Sequence, residues 1–416
     1  MGVFENLNDN KLITHLNSCV HCGLCAESCV FYLATGDDRL IPARKVDIVG
    51  SVYRRYHTWS GRLIPGLTGA RDLDDNTAAE MVDLLFGACS MCGRCTLHCS
   101  IGVDIPYLVR TGRTMLSNMG MVPASLQSTV DTAISSGNNM GIPKEEFIDT
   151  LRWLEEDLKE ELGDDSVRIP LDAPGKDILY TLNPREPKFF PLSISAMAKI
   201  FHLCGASWTL SSRMYDVTNY AYYSGNPEES SVIAARLEDE MKILGAKRCV
   251  LAECGHGSRA FRWEGPNYLS HSFDFEVITS VELIDQYLKS GLIKPDKTKN
   301  TQRVTLHDPC NLVRSGGIIQ QQRDILNQAC ETFIEMNPHG IDNLCCGGGG
   351  GQLAMSEYND RRMKVGKIKT DQIKATGAEI VVTPCHNCVD QLLQICIANK
   401  VNVQIKTIAE IVADAL

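Results

Sequence analysis

The spacing of apolar and polar positions divides the chain into regions of different texture. Over the first third, apolar residues recur three and four apart. Ala43-Arg44-Lys45-Val46-Asp47-Ile48-Val49 and Ala78-Ala79-Glu80-Met81-Val82-Asp83-Leu84-Leu85-Phe86 show this period, which marks helices with one buried face. Ile105-Pro106-Tyr107-Leu108-Val109-Arg110 begins another helix. From about Gly120 to Gly163 the helical period continues, with breaks at Ser135-Ser136-Gly137-Asn138-Asn139 and Gly141-Ile142-Pro143. The charged run from Trp153 to Glu161 reads as a solvated helix face. After Pro174-Gly175, short apolar runs alternate with helical periods. Asp177 to Leu182 and Arg248 to Ala252 read as strands, Ile194 to Ile200 and Glu228 to Leu244 as helices. Val304-Thr305-Leu306 and Glu379-Ile380-Val381-Val382-Thr383 read as further buried strands, and Glu357 to Ala375 as a helix. This alternation predicts α/β units.

The α/β part shows an internal repeat. In each half a helix leads through Gly245-Ala246 or Gly377-Ala378 to a strand, and the strand leads to Glu253-Cys254-Gly255-His256-Gly257 or Pro384-Cys385-His386-Asn387-Cys388. Cys254 then stands where Cys385 stands, Gly257 where Cys388 stands, and Tyr222-Tyr223-Ser224-Gly225 near the place of Cys345-Cys346-Gly347.

With 416 residues the chain can hold two or three domains, each with its own core. A net charge of -10 and a pI near 5.5 leave no basic stripe for nucleic acid or an anionic membrane. No apolar run approaches the roughly 18 residues of a membrane span, and Met1-Gly2-Val3-Phe4-Glu5-Asn6 lacks a leader pattern. The expected location is the cytoplasm, free or docked to a membrane or large soluble complex.

The 18 cysteines change the picture most. In a reducing compartment clustered thiols are metal ligands more often than disulfides. Cys19, Cys22, Cys25 and Cys29 follow the two, two, three spacing of bacterial ferredoxins, and Cys89, Cys92, Cys95 and Cys99 repeat it. In two-cluster ferredoxins the fourth thiol of each run ligates the other cube. That rule assigns Cys19, Cys22, Cys25 and Cys99 to one cubane 4Fe-4S cluster, and Cys89, Cys92, Cys95 and Cys29 to the other. Structural zinc is the plain alternative, but it needs only two ligand pairs per site. Val30 and Ser100 stand where the ferredoxin run carries proline, which alters the local turn and removes no ligand. Farther on, Cys310, Cys345, Cys346, Cys385 and Cys388 read as one metal-cluster cage at strand ends, with five glycines, Gly347 to Gly351, beside the adjacent pair. These glycines follow cysteines and open no helix from a strand, which rules out a dinucleotide loop.

Several neighbours stay open between two readings. Cys254, with His256 nearby, either faces the cage or is structural. His307 and His386 either tune the cage or bond within loops, and Arg314 either offsets cluster charge or lies on the surface. Cys204, Cys249, Cys330 and Cys396 read as small core residues.

The doubled ferredoxin run, His307-Asp308-Pro309-Cys310, Cys345-Cys346-Gly347 and Pro384-Cys385-His386-Asn387-Cys388 together resemble the iron-sulfur oxidoreductases with cysteine-rich CCG domains. That group includes heterodisulfide reductase subunits, DsrK-type subunits, and iron-sulfur subunits of glycolate, lactate and glycerol-3-phosphate oxidising enzymes. The resemblance implies a noncubane 4Fe-4S cluster on Cys310, Cys345, Cys346, Cys385 and Cys388. The first repeat lacks the pair and the closing thiol, so a second such cluster is not expected, and the chain looks closer to one-motif subunits of the DsrK type.

The expected fold is therefore α+β and multi-domain. Residues 1–120 form a helical ferredoxin domain with two clusters and 121–174 a helical connector. Residues 175–297 form a degenerate first CCG-like α/β repeat, and 298–416 a complete second one. The expected function is that of an electron-transfer subunit in an anaerobic, heterodisulfide reductase-like oxidoreductase complex, active only in that complex. Its partners would be a flavoprotein, a ferredoxin-like subunit or a membrane cytochrome. The alternatives are an iron-sulfur subunit of a flavin-dependent hydroxyacid dehydrogenase, or a disulfide reductase acting itself.

Overall fold

Each apolar run of the second half becomes one strand of a parallel sheet. The computed structural model describes residues 10–416, and the N-terminal hexapeptide considered above lies outside them. One four-stranded sheet contains β1 (Ile178–Tyr180), β2 (Trp208–Thr209), β3 (Arg248–Leu251) and β4 (Glu276–Thr279), in the order β2-β1-β3-β4. The other contains β5 (Arg303–Leu306), β6 (Thr332–Ile334), β7 (Ile380–Val382) and β8 (Gln404–Lys406), in the order β6-β5-β7-β8. All pairings are parallel, with Leu179 opposite Cys249 and Leu306 opposite Val382. Helices join the strands, as parallel crossovers require. Past the opening Arg248 and Arg303 of β3 and β5, the central strands are buried and, but for Thr305, apolar, which is why they were legible as short hydrophobic runs.

The chain forms two compact units whose segments interleave. One comprises the chain through Ser128, with Ala221–Pro227 and Leu344–Lys369. The other comprises Thr129–Tyr220, Glu228–Asn343 and Thr370–Leu416.

In the first unit the helix Pro42–His57 packs on the helix Ile105–Asn118. Their apolar faces, Val46, Val49 and Val52 against Leu108, Val109 and Leu116, are buried. Proline lies in the first turn of both helices, where its missing N–H leaves no bond unmade. The Asp104 carboxylate accepts the Tyr107 N–H at 3.1 Å and caps the second helix. The helix Asp75–Val82 widens into a π turn over Asp83–Gly87, which ends two residues before Cys89.

The second unit holds both sheets around one hydrophobic core. The Phe201 and Trp208 rings stack at 4.6 Å, and those of Phe147 and Tyr215 at 4.1 Å. The helices Leu192–Leu203 and Ile408–Asp414 pack together within it. The region read as a helical connector contains the helices Ala124–Ser136 and Lys144–Leu162. Among the described residues no helix is long and apolar enough to cross a membrane.

Candidate metal centres

The two ferredoxin-spaced runs fold alike. His21 and Met91 hold φ of 55° and 53°, and Gly23 and Gly93 hold 82° and 77°, so each run makes the same tight left-handed turns between its thiols. The turns sort the thiols into two convergent sets. One cavity is lined by Cys19, Cys22, Cys25 and Cys99, the other by Cys29, Cys89, Cys92 and Cys95, and Ile105 lines both. Each set therefore takes three thiols from one run and the fourth from the other.

None of the 18 cysteines is in a disulfide. Burial pushes the Cys19 and Cys25 thiols up, and repulsion from neighbouring thiols and, at Cys19, from Asp47 adds to it. Burial likewise pushes Cys95 well up, with Cys92, Cys29 and Cys89 adding to the effect. Mutual repulsion of this kind is what a bound cation relieves. Cys89 is also raised by burial, but Lys45 and Arg113 pull the other way.

Arg113 is fully buried and lies over the Phe86 ring at 4.6 Å. Its guanidinium donates to the carbonyls of Leu85 at 2.9 and 3.1 Å, Cys89 at 2.9 Å, Tyr223 at 2.6 Å and Gly350 at 2.9 Å. Burial lowers its pKa to about 10, which leaves it cationic at neutral pH. Lys45, also buried, lines the cavity of Cys29, Cys89, Cys92 and Cys95 and donates to the Leu40 carbonyl at 2.9 Å.

The adjacent pair Cys345-Cys346 belongs to this same unit. Ser90, between two thiols of the second run, has its Oγ 3.3 Å from Cys345 Sγ, and the Gly347 N–H donates to the same sulfur at 3.3 Å. Gly350 has φ +64°, and a Cβ there would lie 2.7 Å from the Ser90 carbonyl carbon. The loop can lie against Ser90 only because this position lacks a side chain.

The other three cysteines of the expected five lie in the second unit, just past neighbouring strands. Cys310 opens a short helix four residues beyond β5, and Cys385 caps the helix His386–Ala398 three residues beyond β7. Cys310, Cys385 and Cys388 are all buried. The Cys388 side chain, with N–H groups including Gly255 N at 3.4 Å, holds the Cys385 thiol down at about 7 against burial. Asp308, two residues before Cys310, is buried and paired with Arg323 at 3.0 and 2.9 Å; it also accepts the Gly340 N–H at 2.7 Å. Arg314 donates to the carbonyls of Ile341 at 2.9 Å and Asn343 at 2.8 Å.

Cys254 follows β3. Its sulfur accepts from Gly257 N at 3.3 Å and Asn183 Nδ2 at 3.4 Å, and burial raises its pKa to about 12, with Cys385 adding to the rise. His386 bonds to the Glu253 carbonyl through its backbone N–H at 2.8 Å and Nδ1 at 3.1 Å, and burial lowers its pKa to about 4. His256 contacts Asn387, and burial lowers its pKa to about 3. Both imidazoles are neutral at pH 7. The Glu253 carboxylate accepts from the N–H groups of Ile408 at 2.9 Å and Ala409 at 2.7 Å, while burial raises its pKa to about 8.

Sequence reasoning missed Lys45, Arg113 and Ser90, and it singled out Glu253 and Gly255 only as part of the Glu253-Cys254-Gly255-His256 motif, without a role for either. The signal at both was their place at a strand end beside Cys254.

Comparison with known proteins agrees with this donor chemistry. Residues 15–103 match the 4Fe-4S dicluster domain, and residues 304–393 match the cysteine-rich CCG domain. The chain is thus an iron-sulfur protein of the oxidoreductase class, carrying both domain types. More particularly, over most of its length it resembles the iron-sulfur subunits of heterodisulfide reductase-like enzymes. It is 27% identical to a Hdr-like menaquinol oxidoreductase iron-sulfur subunit of Archaeoglobus profundus, over 92% of this chain and 76% of the relative. It is 28% identical to one subunit of the dihydromethanophenazine:CoB–CoM heterodisulfide reductase of Methanosarcina mazei, over 99% of this chain and 96% of the relative. It is also 24% identical to an EtfAB:quinone oxidoreductase of Syntrophomonas wolfei, over 93% of this chain and 56% of that protein.

Proposed function

We propose that the chain is an electron-transfer subunit of a heterodisulfide reductase-like complex with three cluster sites in series. Cys19, Cys22, Cys25 and Cys99 hold one cubane 4Fe-4S cluster, and Cys29, Cys89, Cys92 and Cys95 hold the second. Cys310, Cys345, Cys346, Cys385 and Cys388 hold one noncubane 4Fe-4S cluster. When bound, these clusters supply one-electron chemistry; the protein supplies thiolates, hydrogen bonds, burial and fixed charge. The observation that carries the reading is the sorting of eight thiols into two convergent sets, the second of which adjoins Cys345 through Ser90.

The α/β part is read as a duplication. In support, both sheets have the same strand order counted along their own chains, and Cys254 and Cys385 follow equivalent strands. The loops at Tyr222 and Cys345 both fall in the segments that leave the second unit for the first. Because the Tyr222 loop has no thiols, the duplicated part holds one noncubane cluster, and relay to a partner is favoured over disulfide cleavage between two clusters. The partner is a flavoprotein, a ferredoxin-like subunit or a membrane cytochrome.

The test is anaerobic purification with iron, sulfide and zinc analysis and electron paramagnetic resonance (EPR). Cys22→Ser and Cys92→Ser should each remove a different cubane signal, and Cys346→Ser an unusual signal of the oxidised state. Zinc with little iron would refute the reading. Turnover of a small disulfide with a reduced viologen dye by the isolated chain would shift the assignment to a disulfide reductase, and co-purification of a hydroxyacid-oxidising flavoprotein to that enzyme class.

A further inference from the structure

Lys45 and Arg113 are fully buried, at 1% and 0% exposure, and among the described residues neither meets a carboxylate. A buried cation is costly unless an opposite charge lies close, and carbonyl dipoles compensate it only in part. The negative charge that the fold brings to both is the thiol set of the second ferredoxin run. Lys45 lines that cavity and acts on Cys89 and Cys95, and Arg113 acts on Cys89 and binds its carbonyl. The other cavity has no lysine or arginine in its lining, and the charged side chain acting on Cys19 there is Asp47, an acid. A four-thiolate cube carries net negative charge that grows by one on reduction, so adjacent fixed cations favour the reduced form.

Resting on the cluster assignment above, we propose that Lys45 and Arg113 are built-in counter-charges of the cube on Cys29, Cys89, Cys92 and Cys95, selectively raising its reduction potential. One electron arrives from the partner redox centre; no bond forms or breaks, and the added charge is met by cations already in place. The two residues therefore act as positioning residues for the electron, through the cluster. They hold it at the cube whose run also carries Ser90, against Cys345.

The test uses the full chain, purified anaerobically, with each cubane EPR signal assigned by Cys22→Ser and Cys92→Ser and followed through a redox titration. Lys45→Met and Arg113→Gln should each lower the reduced-to-oxidised ratio of the Cys92-dependent signal about tenfold at a fixed potential, which for one electron is about 59 mV. The Cys22-dependent signal should move less than about twofold, and Lys45→Arg should stay near wild type. Should Lys45→Met lose a cube, iron counting distinguishes the cases. Loss of the Cys92-dependent cube alone, with Lys45→Arg still loading it, also supports the proposal. Equal shifts of both signals, no shift with both cubes loaded, loss of both cubes, or Lys45→Arg behaving like Lys45→Met would each overturn it. Wild-type protein without cubane iron would remove the cluster assignment itself, and this inference with it.

Discussion

Replacing Gly350 by alanine adds one methyl group at a place where the structure leaves no room for it. The residue sits at φ +64°, and the new Cβ would lie 2.7 Å from the carbonyl carbon of Ser90 and 2.8 Å from its Cα and O. Carbon contacts are optimal at roughly 3.5–4.0 Å. All three obstructing atoms are backbone, so no rotamer change relieves the overlap. The left-handed conformation costs alanine about 1–2 kcal/mol, and overpacking adds about 1–3 kcal/mol. The expected loss is therefore about 2–5 kcal/mol of unfolding free energy, or displacement of the loop from Ser90. Gly120→Ala is the internal control, because that glycine has φ +71° with nothing within 4 Å of the new Cβ. It should cost only the conformational part. Anaerobic urea unfolding, read by circular dichroism with iron counted per chain, compares the two. If Gly350→Ala is no more costly than Gly120→Ala and keeps all its iron, the close approach of the glycine loop to Ser90 is wrong.

Three further outcomes are expected. On the proposed cluster assignment, Cys254→Ala should leave the noncubane signal at full intensity, since burial keeps that thiol neutral; spin counting checks this, and loss of the signal would show that Cys254 ligates. Asp308→Ala should remove one of the two carboxylates that face the Arg323 guanidinium, which Glu335 still pairs at 2.6 Å, and leave the Gly340 N–H without its acceptor, destabilising the protein by about 1–3 kcal/mol in denaturant unfolding. Asp216 is held by Asn139 and Thr218, and burial raises its pKa from 3.8 to about 7. In that window the native state binds more protons than the unfolded one. The contribution of its protonated form is complete below about pH 3.8 and is lost as pH rises through about 7, amounting to about 4 kcal/mol. Asp216→Asn should flatten that part of the stability profile.

Much of this was legible in the residues because chemistry or burial imposed a regular spacing. Thiols at fixed intervals gave the candidate ligands. Short buried runs gave β1, β3, β5 and β7, the inner strands of both sheets. The helix expected from Glu228 to Leu244 spans Pro227–Leu244, and the one from Glu357 to Ala375 spans Asn359–Thr376. The outer strands escaped notice. Trp208–Thr209 is two residues long, and Gln404–Lys406 is mostly polar at a sheet edge, so neither leaves a hydrophobic run. Lys45 escaped for a different reason. A lysine inside a helical period reads as part of the solvated face, and only the folded packing shows that it points inward. Arg113 likewise follows a helix start that looked ordinary, and its partners are carbonyls from segments distant in sequence.

The interleaving of the two units sets an order of manufacture. A ribosome must deliver residue 369 before the first unit has all its segments, and residues 370–416 before the second sheet gains β7 and β8. Both units are therefore unfinished until late in synthesis, and no single cut divides the chain into two self-sufficient fragments. The Cys345-Cys346 pair leaves the ribosome some 250 residues after Cys95, the last thiol of the set Cys29, Cys89, Cys92 and Cys95 in the same unit.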